Sequence, residues 1–340
     1  MRGNEIKRSI GSLSRRDFTK KTALAIVGAS AAGLIGYGLF NTEKLKTINY
    51  IRRMGHCAPG IMQTLLDIND IQNDNIVLYA GAMAGGIAGS NMECGALTAP
   101  LMFIGFRNNN IVCLPDKIDI ICKAQSYVNE FNSLNGTTIC SRIRQKSNSA
   151  CMKTIRTFYK PFSDAVSSPV ILSNETKESY SLLLKTFDDS KFHCAQNVLK
   201  NLNSNFLITK ELIDVSWAFI GGIALLNRTC GALTGGVLAI SSATAKIENS
   251  YSRVARMNRL LRNENNEAMN DEINNFNKSI NYSEELGHWF RNEFGSTTCS
   301  DIWRLKFSVK NDVEKFISGH CMLQCSYITK KVAQKVSGMI

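Results

Sequence analysis

Gly85-Gly86-Ile87-Ala88-Gly89-Ser90-Asn91-Met92-Glu93-Cys94-Gly95-Ala96-Leu97-Thr98 aligns without a gap to Gly221-Gly222-Ile223-Ala224-Leu225-Leu226-Asn227-Arg228-Thr229-Cys230-Gly231-Ala232-Leu233-Thr234. Working outward, His56-Cys57-Ala58 matches His193-Cys194-Ala195, with 37 and 36 residues from the first cysteine to the central one. On the other side, Gly136-Thr137-Thr138-Ile139-Cys140 matches Gly295-Ser296-Thr297-Thr298-Cys299. Cys151-Met152 resembles Cys321-Met322, and Cys325 competes for that last place. Blocks repeated in one order are the mark of a tandem duplication.

The duplication sets the organisation. The copies are expected at residues 45–158 and 185–340, and residues 160–190 read as a linker. That stretch holds Lys160-Pro161, Ser167-Ser168-Pro169 and a polar run at 174–179. The periodicity is helical. Cys57, Ile61, Leu65 and Ile68 fall on one face, as do Cys194, Val198 and Leu202. Short apolar runs at 111–114 and 170–172 lack strand-like alternation or hairpin turns. The expected fold class is all-α, with two homologous helical domains packed as a pseudo-dimer, the contact that a duplicated homodimer keeps. The second copy is longer, and its asparagine-rich residues 263–281 read as a loop or an exposed helix pair.

The chain has 340 residues, 44% hydrophobic and 20% charged, enough for about two domains with packed cores. The formal charge is +12, of which +5 lies in the first 21 residues. Arg253, Arg256, Arg259 and Arg262 form a basic stripe, read as a solvated helix face because no nucleic-acid motif accompanies it.

Ser14-Arg15-Arg16-Asp17-Phe18-Thr19-Lys20 matches the twin-arginine export signal, and an uncharged, apolar stretch follows at 22–40. Residues 1–40 are therefore read as a signal for the twin-arginine translocase. Ala29-Ser30-Ala31 offers a cleavage site, while nineteen uncharged residues are also enough for a membrane anchor. The expected location is the periplasm or the outer face of the cytoplasmic membrane. Twin-arginine substrates cross folded, often with a cofactor already inserted, whereas a protein needing only disulfides can oxidise outside.

The chemistry lies in the thiols: Cys57, Cys94, Cys140 and Cys151 in the first copy, and Cys194, Cys230, Cys299 and Cys321 or Cys325 in the second. Cys325, with Ile328 and Val332 after it, falls on the apolar face of a terminal helix. Each central cysteine opens a stretch of helical spacing, so it is expected at a helix N-terminus, where the dipole favours thiolate or an anionic cluster. Gly231 and Ala232 permit close backbone approach to such a cluster.

Cys230-Gly231-Ala232-Leu233-Thr234-Gly235 resembles the CGAxxG motif of a family of redox-active proteins, whose module has one cysteine before the motif and two after it. Both copies resemble it, and many members carry twin-arginine signals. The first copy departs at Ala99, followed by Pro100, where the final glycine belongs. Its last two cysteines are also only 11 residues apart, against 22 or 26 in the second copy. The resemblance implies an iron–sulfur centre, because the module is similar to a domain of split-Soret cytochromes. It implies cofactor contacts at Gly231, Ala232 and Gly235.

Four thiolates fit an iron–sulfur cluster, with 2Fe–2S favoured, acting in electron transfer or redox sensing with a partner protein. A cluster-free thiol–disulfide oxidoreductase is the alternative, although no C-x-x-C pair is present. A cysteine-stapled accessory subunit or a zinc site is the third reading, and zinc's usual paired short spacings are missing. The absence of C-x-x-C-H excludes covalent haem c. His56, His193 and His320 each precede a cysteine, but neighbours in a helix point different ways, so none is taken as a ligand. Cys113 and Cys122 are assigned to core packing. No catalytic triad, P-loop, dinucleotide fingerprint or H-E-x-x-H occurs, so an electron-transfer protein is expected rather than a stand-alone enzyme.

Overall fold

The most apolar segments of each copy are the ones that follow the central cysteines, and they become its innermost helices. The computed structural model describes residues 43–89, 92–108, 113–246, 250–263 and 265–340, and among these it contains helices and two isolated β-bridges. The first copy runs α1 (Glu43–Met54), α2 (Cys57–Ile68), α3 (Asp74–Tyr79), α4 (Gly95–Arg107), α5 (Leu114–Asn135), α6 (Cys140–Lys146), α7 (Asn148–Thr157) and α8 (Tyr159–Ser167). The second runs α9 (Asn174–Asp189), α10 (Cys194–Lys200), α11 (Lys210–Val215), α12 (Gly231–Thr244), α13 (Ser250–Arg262), α14 (Asn266–Phe276), α15 (Lys278–Phe294), α16 (Cys299–Trp303), α17 (Lys310–Ser318) and α18 (Cys321–Ser337).

Element order repeats: α2 answers α10, α4 answers α12, and the long α5 answers α15. Both long helices stop at a left-handed glycine, Gly136 (φ 70°) or Gly295 (φ 78°), the conformation that glycine adopts without a Cβ penalty. The all-α expectation holds. Helices α4 and α12 are buried around their whole circumference from residue 95 to 105 and from 231 to 241. A helix apolar all round belongs in a core. The asparagine-rich residues 263–281 form α14 and the start of α15.

The copies meet through equivalent positions. The Ser241 hydroxyl on α12 donates to the Leu78 carbonyl of the first copy at 2.9 Å and accepts the Ala82 N–H at 3.0 Å. The reciprocal contact is made by Gly105 on α4, where an added Cβ would lie 2.4 Å from the Asp214 carbonyl oxygen. In the same way, Gln125 on α5 donates to the Ala224 carbonyl of the second copy at 2.8 Å. Gly89 of the first copy packs against Ile280 on α15. Each copy's glycine loop therefore rests on the long helix of the other. Contacts in which i meets j and j meets i define a two-fold interface. Residues 42–340 form a single compact unit in consequence.

Three expectations change. Residues 160–190 are not a linker, because α8 and α9 bury Phe162, Ala165, Tyr180, Leu183, Leu184 and Phe187. The basic stripe is not uniformly solvated: Arg253 is buried with its guanidinium 3.3 Å from the Phe276 ring centre, and Arg256 pairs with Glu272 at 2.7 Å. Cys113 is exposed at the N-cap of α5 rather than packed in a core, whereas Cys122 is buried. The twin-arginine signal and anchor expected at 1–40 lie outside the described residues. No helix among the described residues is long and apolar enough to cross a membrane.

Gly105→Ala forces a Cβ into the Asp214 carbonyl, a backbone atom that cannot rotate away. Urea unfolding is expected to show a loss of about 1–3 kcal/mol. The control Gly338→Ala, whose Cβ meets neighbours no closer than 3.5 Å, stays within about 0.5 kcal/mol.

Candidate functional site

In each copy two backbone hydrogen bonds place two cysteines side by side. Cys94 donates its N–H to the Thr138 carbonyl at 2.9 Å, and Cys140 donates to the Met92 carbonyl at 2.8 Å, closing the antiparallel bridge between Glu93 and Ile139. In the second copy, Cys230 donates to Thr297 at 2.8 Å and Cys299 to Arg228 at 2.7 Å around the bridge between Thr229 and Thr298. Side chains alternate along such a bridge, so the two cysteines, one on each flank and diagonal to each other, share the face opposite the bridged pair. Each then starts a helix: Cys94 and Cys230 are the N-cap residues of α4 and α12, and Cys140 and Cys299 are the first residues of α6 and α16.

A glycine beneath each bridge lets the pieces close. Gly86 (φ 87°) and Gly222 (φ 72°) hold left-handed backbone, and a Cβ there would come within 2.9 Å of the Cys140 Cβ or 2.7 Å of the Cys299 Cβ. The remaining thiols arrive from other helices. Cys57 opens α2 and its Sγ lies 2.9 Å from where a Gly95 Cβ would sit, while Cys194 opens α10 with its Cβ 2.7 Å from the corresponding point at Gly231.

The copies then diverge. In the second, Cys194, Cys230, Cys299 and Cys325 line one cavity of about 10 Å³, enclosed by Phe187, Phe192, Trp303, Phe307, Phe316 and Ile328. Cys321 does not line it, so the apolar-face position at Cys325 brings the fourth thiol in. Gly231 and Ala232 also line the cavity, whereas a Cβ added at Gly235 would lie 2.5–3.0 Å from the Ala195 backbone, so that glycine serves the packing of α12 on α10. In the first copy, Cys94 and Cys140 lie close enough to shift each other's acidity, Arg144 stands one turn after Cys140, and half-buried Cys57 and Cys151 stand beside them. Among the described residues, no three His, Cys, Asp or Glu side chains stand in metal-holding geometry, so these thiols are gathered without being closed to coordination distance.

Burial governs the acidity. It pushes Cys57 up to about 11 and Cys194 up to about 12, and it raises Cys325 and Cys299 well above the usual thiol range, with their neighbouring thiols adding to it. Cys230 is also raised by burial. The Ala232 and Leu233 amides face its sulfur outside capping geometry and pull the other way without winning. The helix N-terminus therefore does not make the central cysteine a thiolate, against expectation. Cys94 is raised, first by its hydrogen bond with Cys140 and then by burial. The same bond, together with Arg144, lowers Cys140.

The histidines are structural. His193 caps α10: Nδ1 accepts the Gln196 N–H at 3.3 Å, and Nε2 lies 3.1 Å from the Trp217 carbonyl. His56 stacks on Phe276 at 4.3 Å beside Arg253, and His320 is exposed. Burial holds both His56 and His193 at about 4, against an ordinary 6.5. A histidine that is neutral when folded but free to protonate when unfolded stabilises fully above pH 6.5, and its contribution falls as pH drops toward 4. Equilibrium unfolding at a series of pH values is expected to lose up to roughly 3 kcal/mol per histidine across that window. His193→Asn, which keeps a cap acceptor, should remove about half of the slope.

Arg144 was not legible as part of a site from the cysteine pattern alone. Its signal is the aligned position Trp303, also four residues after the third cysteine. Glu93 and Thr229 were likewise silent: the Thr229 hydroxyl donates to the buried Glu93 carboxylate, joining the two bridges across the copies.

No curated protein and no solved structure matches the chain. One family does, described as "Putative redox-active protein (C_GCAxxG_C_C)", and it matches twice, over residues 55–164 and 192–339. Those segments contain all eight cysteines that the bridges and their partner helices gather, together with Cys321. The chain belongs to this redox-active family as a tandem pair of its modules.

Proposed function

We propose that the chain is an exported redox protein that carries electrons through an iron–sulfur centre held by Cys194, Cys230, Cys299 and Cys325, in concert with a partner protein. The carrying observation is the convergence of these four thiols on one apolar cavity with no carboxylate or imidazole in its lining. Four soft donors, with the Thr329 hydroxyl already engaged by the Ser326 carbonyl, select iron–sulfur or a similarly thiophilic ion. Burial opposes charge on every one of them, so a thiolate set there requires a cation to balance it, and metal loading and deprotonation become one event.

The donors fit the centre in number and kind. The space is tighter: about 10 Å³ is room for one water-sized guest, so a two-iron core has to spread the sulfurs as it enters. Once bound, an iron–sulfur centre supplies one-electron transfer. The chain's own residues supply the rest. Phe187, Phe307 and Phe316 exclude water, while the Ala232 and Leu233 amides face the Cys230 sulfur and favour negative charge. Half-buried Cys325 and Trp303 form the side nearest solvent, where a redox partner would approach. Export in the folded state by the twin-arginine route agrees with a cofactor inserted beforehand.

Anaerobically purified protein is expected to be coloured, with iron and acid-labile sulfide in about equal amounts. Cys230→Ser and Cys325→Ser should each lower bound iron by more than about tenfold, whereas Cys321→Ser should leave it unchanged. A colourless, metal-free protein with the same helical content would overturn the reading.

A further inference from the structure

We infer that the first copy is a separate dithiol–disulfide centre, Cys94 with Cys140, loaded through Cys151 by a disulfide substrate. The two copies share the bridge that sets the second and third cysteines side by side, but they use it differently. In the second copy those two thiols stand back around a cavity shared with Cys194 and Cys325. In the first, Cys94 and Cys140 stand close enough for each to set the other's acidity, so an S–S bond needs only a short approach of the two sulfurs. The residue one turn beyond the third cysteine is the cation Arg144 in the first copy and the apolar Trp303 in the second. A cation at that place suits a nucleophilic sulfur, and an aromatic ring suits a dry cavity.

Access fixes the order of events. Cys94 and Cys140 are each only 4% exposed, whereas Cys151 is half-buried and follows Cys140 across the short joint between α6 and α7. Burial raises the Cys151 thiol, so the fraction that loses its proton to solvent attacks one sulfur of a substrate R–S–S–R, forming a mixed disulfide and releasing RS⁻. Cys140 then attacks the Cys151 sulfur and expels the second RS⁻. Finally Cys94, its proton passing to a released thiolate, attacks the Cys140 sulfur and returns Cys151 to the thiolate form. Two protein thiols are oxidised to one disulfide, and one substrate disulfide is reduced to two thiols.

The test uses the reduced full chain under anaerobic conditions with oxidised glutathione as the probe, quenched by alkylation and mapped by peptide mass. The expected product is the Cys94–Cys140 cross-link. Cys151→Ser should slow its formation at least tenfold without changing the end product. Cys140→Ser should stall as a Cys151–glutathione adduct, a readout independent of the cross-link. A Cys94–Cys140 link that never forms, that forms as fast in Cys151→Ser, or that is matched by an equal Cys230–Cys299 link overturns the inference. So does iron content that halves in Cys94→Ser, since the first copy would then hold metal. Iron that is absent from wild type while the cross-link forms instead sinks only the electron-transfer proposal for the second copy.

Discussion

Two backbone hydrogen bonds per copy are the constraint on which the rest of the molecule depends. They join the segment before the central helix to the segment before α6 or α16, and so bring together cysteines separated by 46 residues in one copy and 69 in the other. The bridge is only one residue pair long, too short to hold itself together. It persists because both strands run straight into helices. The glycine loop behind it is left-handed and packed, and the other copy's long helix presses on that loop. The second copy's loop carries the non-glycine residues Ile223, Ala224 and Leu225 at positive φ, a conformation kept only when surroundings over-determine it. Gln125 on the Ala224 carbonyl is part of those surroundings.

Much of this was legible in the linear sequence. The gapless block and its flanking cysteines gave away the duplication, because the same physical problem is solved twice with the same residues: glycines where the backbone turns left, Cys-Gly-Ala where a helix starts against a sulfur. Helical periodicity exposed the class. The linker reading failed because proline and serine near 161–169 resemble loop punctuation. The prolines in fact sit at the start of α8 and just after it, where a missing N–H costs little. The buried Arg253 was hidden for a different reason. A charge looks solvated in any pattern count, and only the fold supplies Phe276 to cover it.

Electrostatics was the least legible layer. A cysteine at a helix N-terminus is expected to ionise easily, and the amides of Ala232 and Leu233 do favour it, but desolvation in an aromatic enclosure outweighs them. Sequence spacing reports the dipole and not the dielectric. The difference between copies turns on the same point: Arg144 stands beside Cys140 where the second copy has Trp303 in the wall of its cavity, a cation in one place and hydrocarbon in the other.

The contact between Glu93 and Thr229 has an evolutionary meaning. These are equivalent positions, so they stand where the symmetry axis passes. In a homodimer a residue at that place always faces its own twin. A buried carboxylate facing a carboxylate repels unless it holds a proton, and a threonine pair offers no charge to satisfy. Within one chain that restriction is lifted, and acceptor and donor stand on opposite sides of the axis. The pairing Glu93–Thr229 is one that identical subunits cannot build. Once fixed, it makes return to a symmetric assembly costly and leaves each half free to specialise.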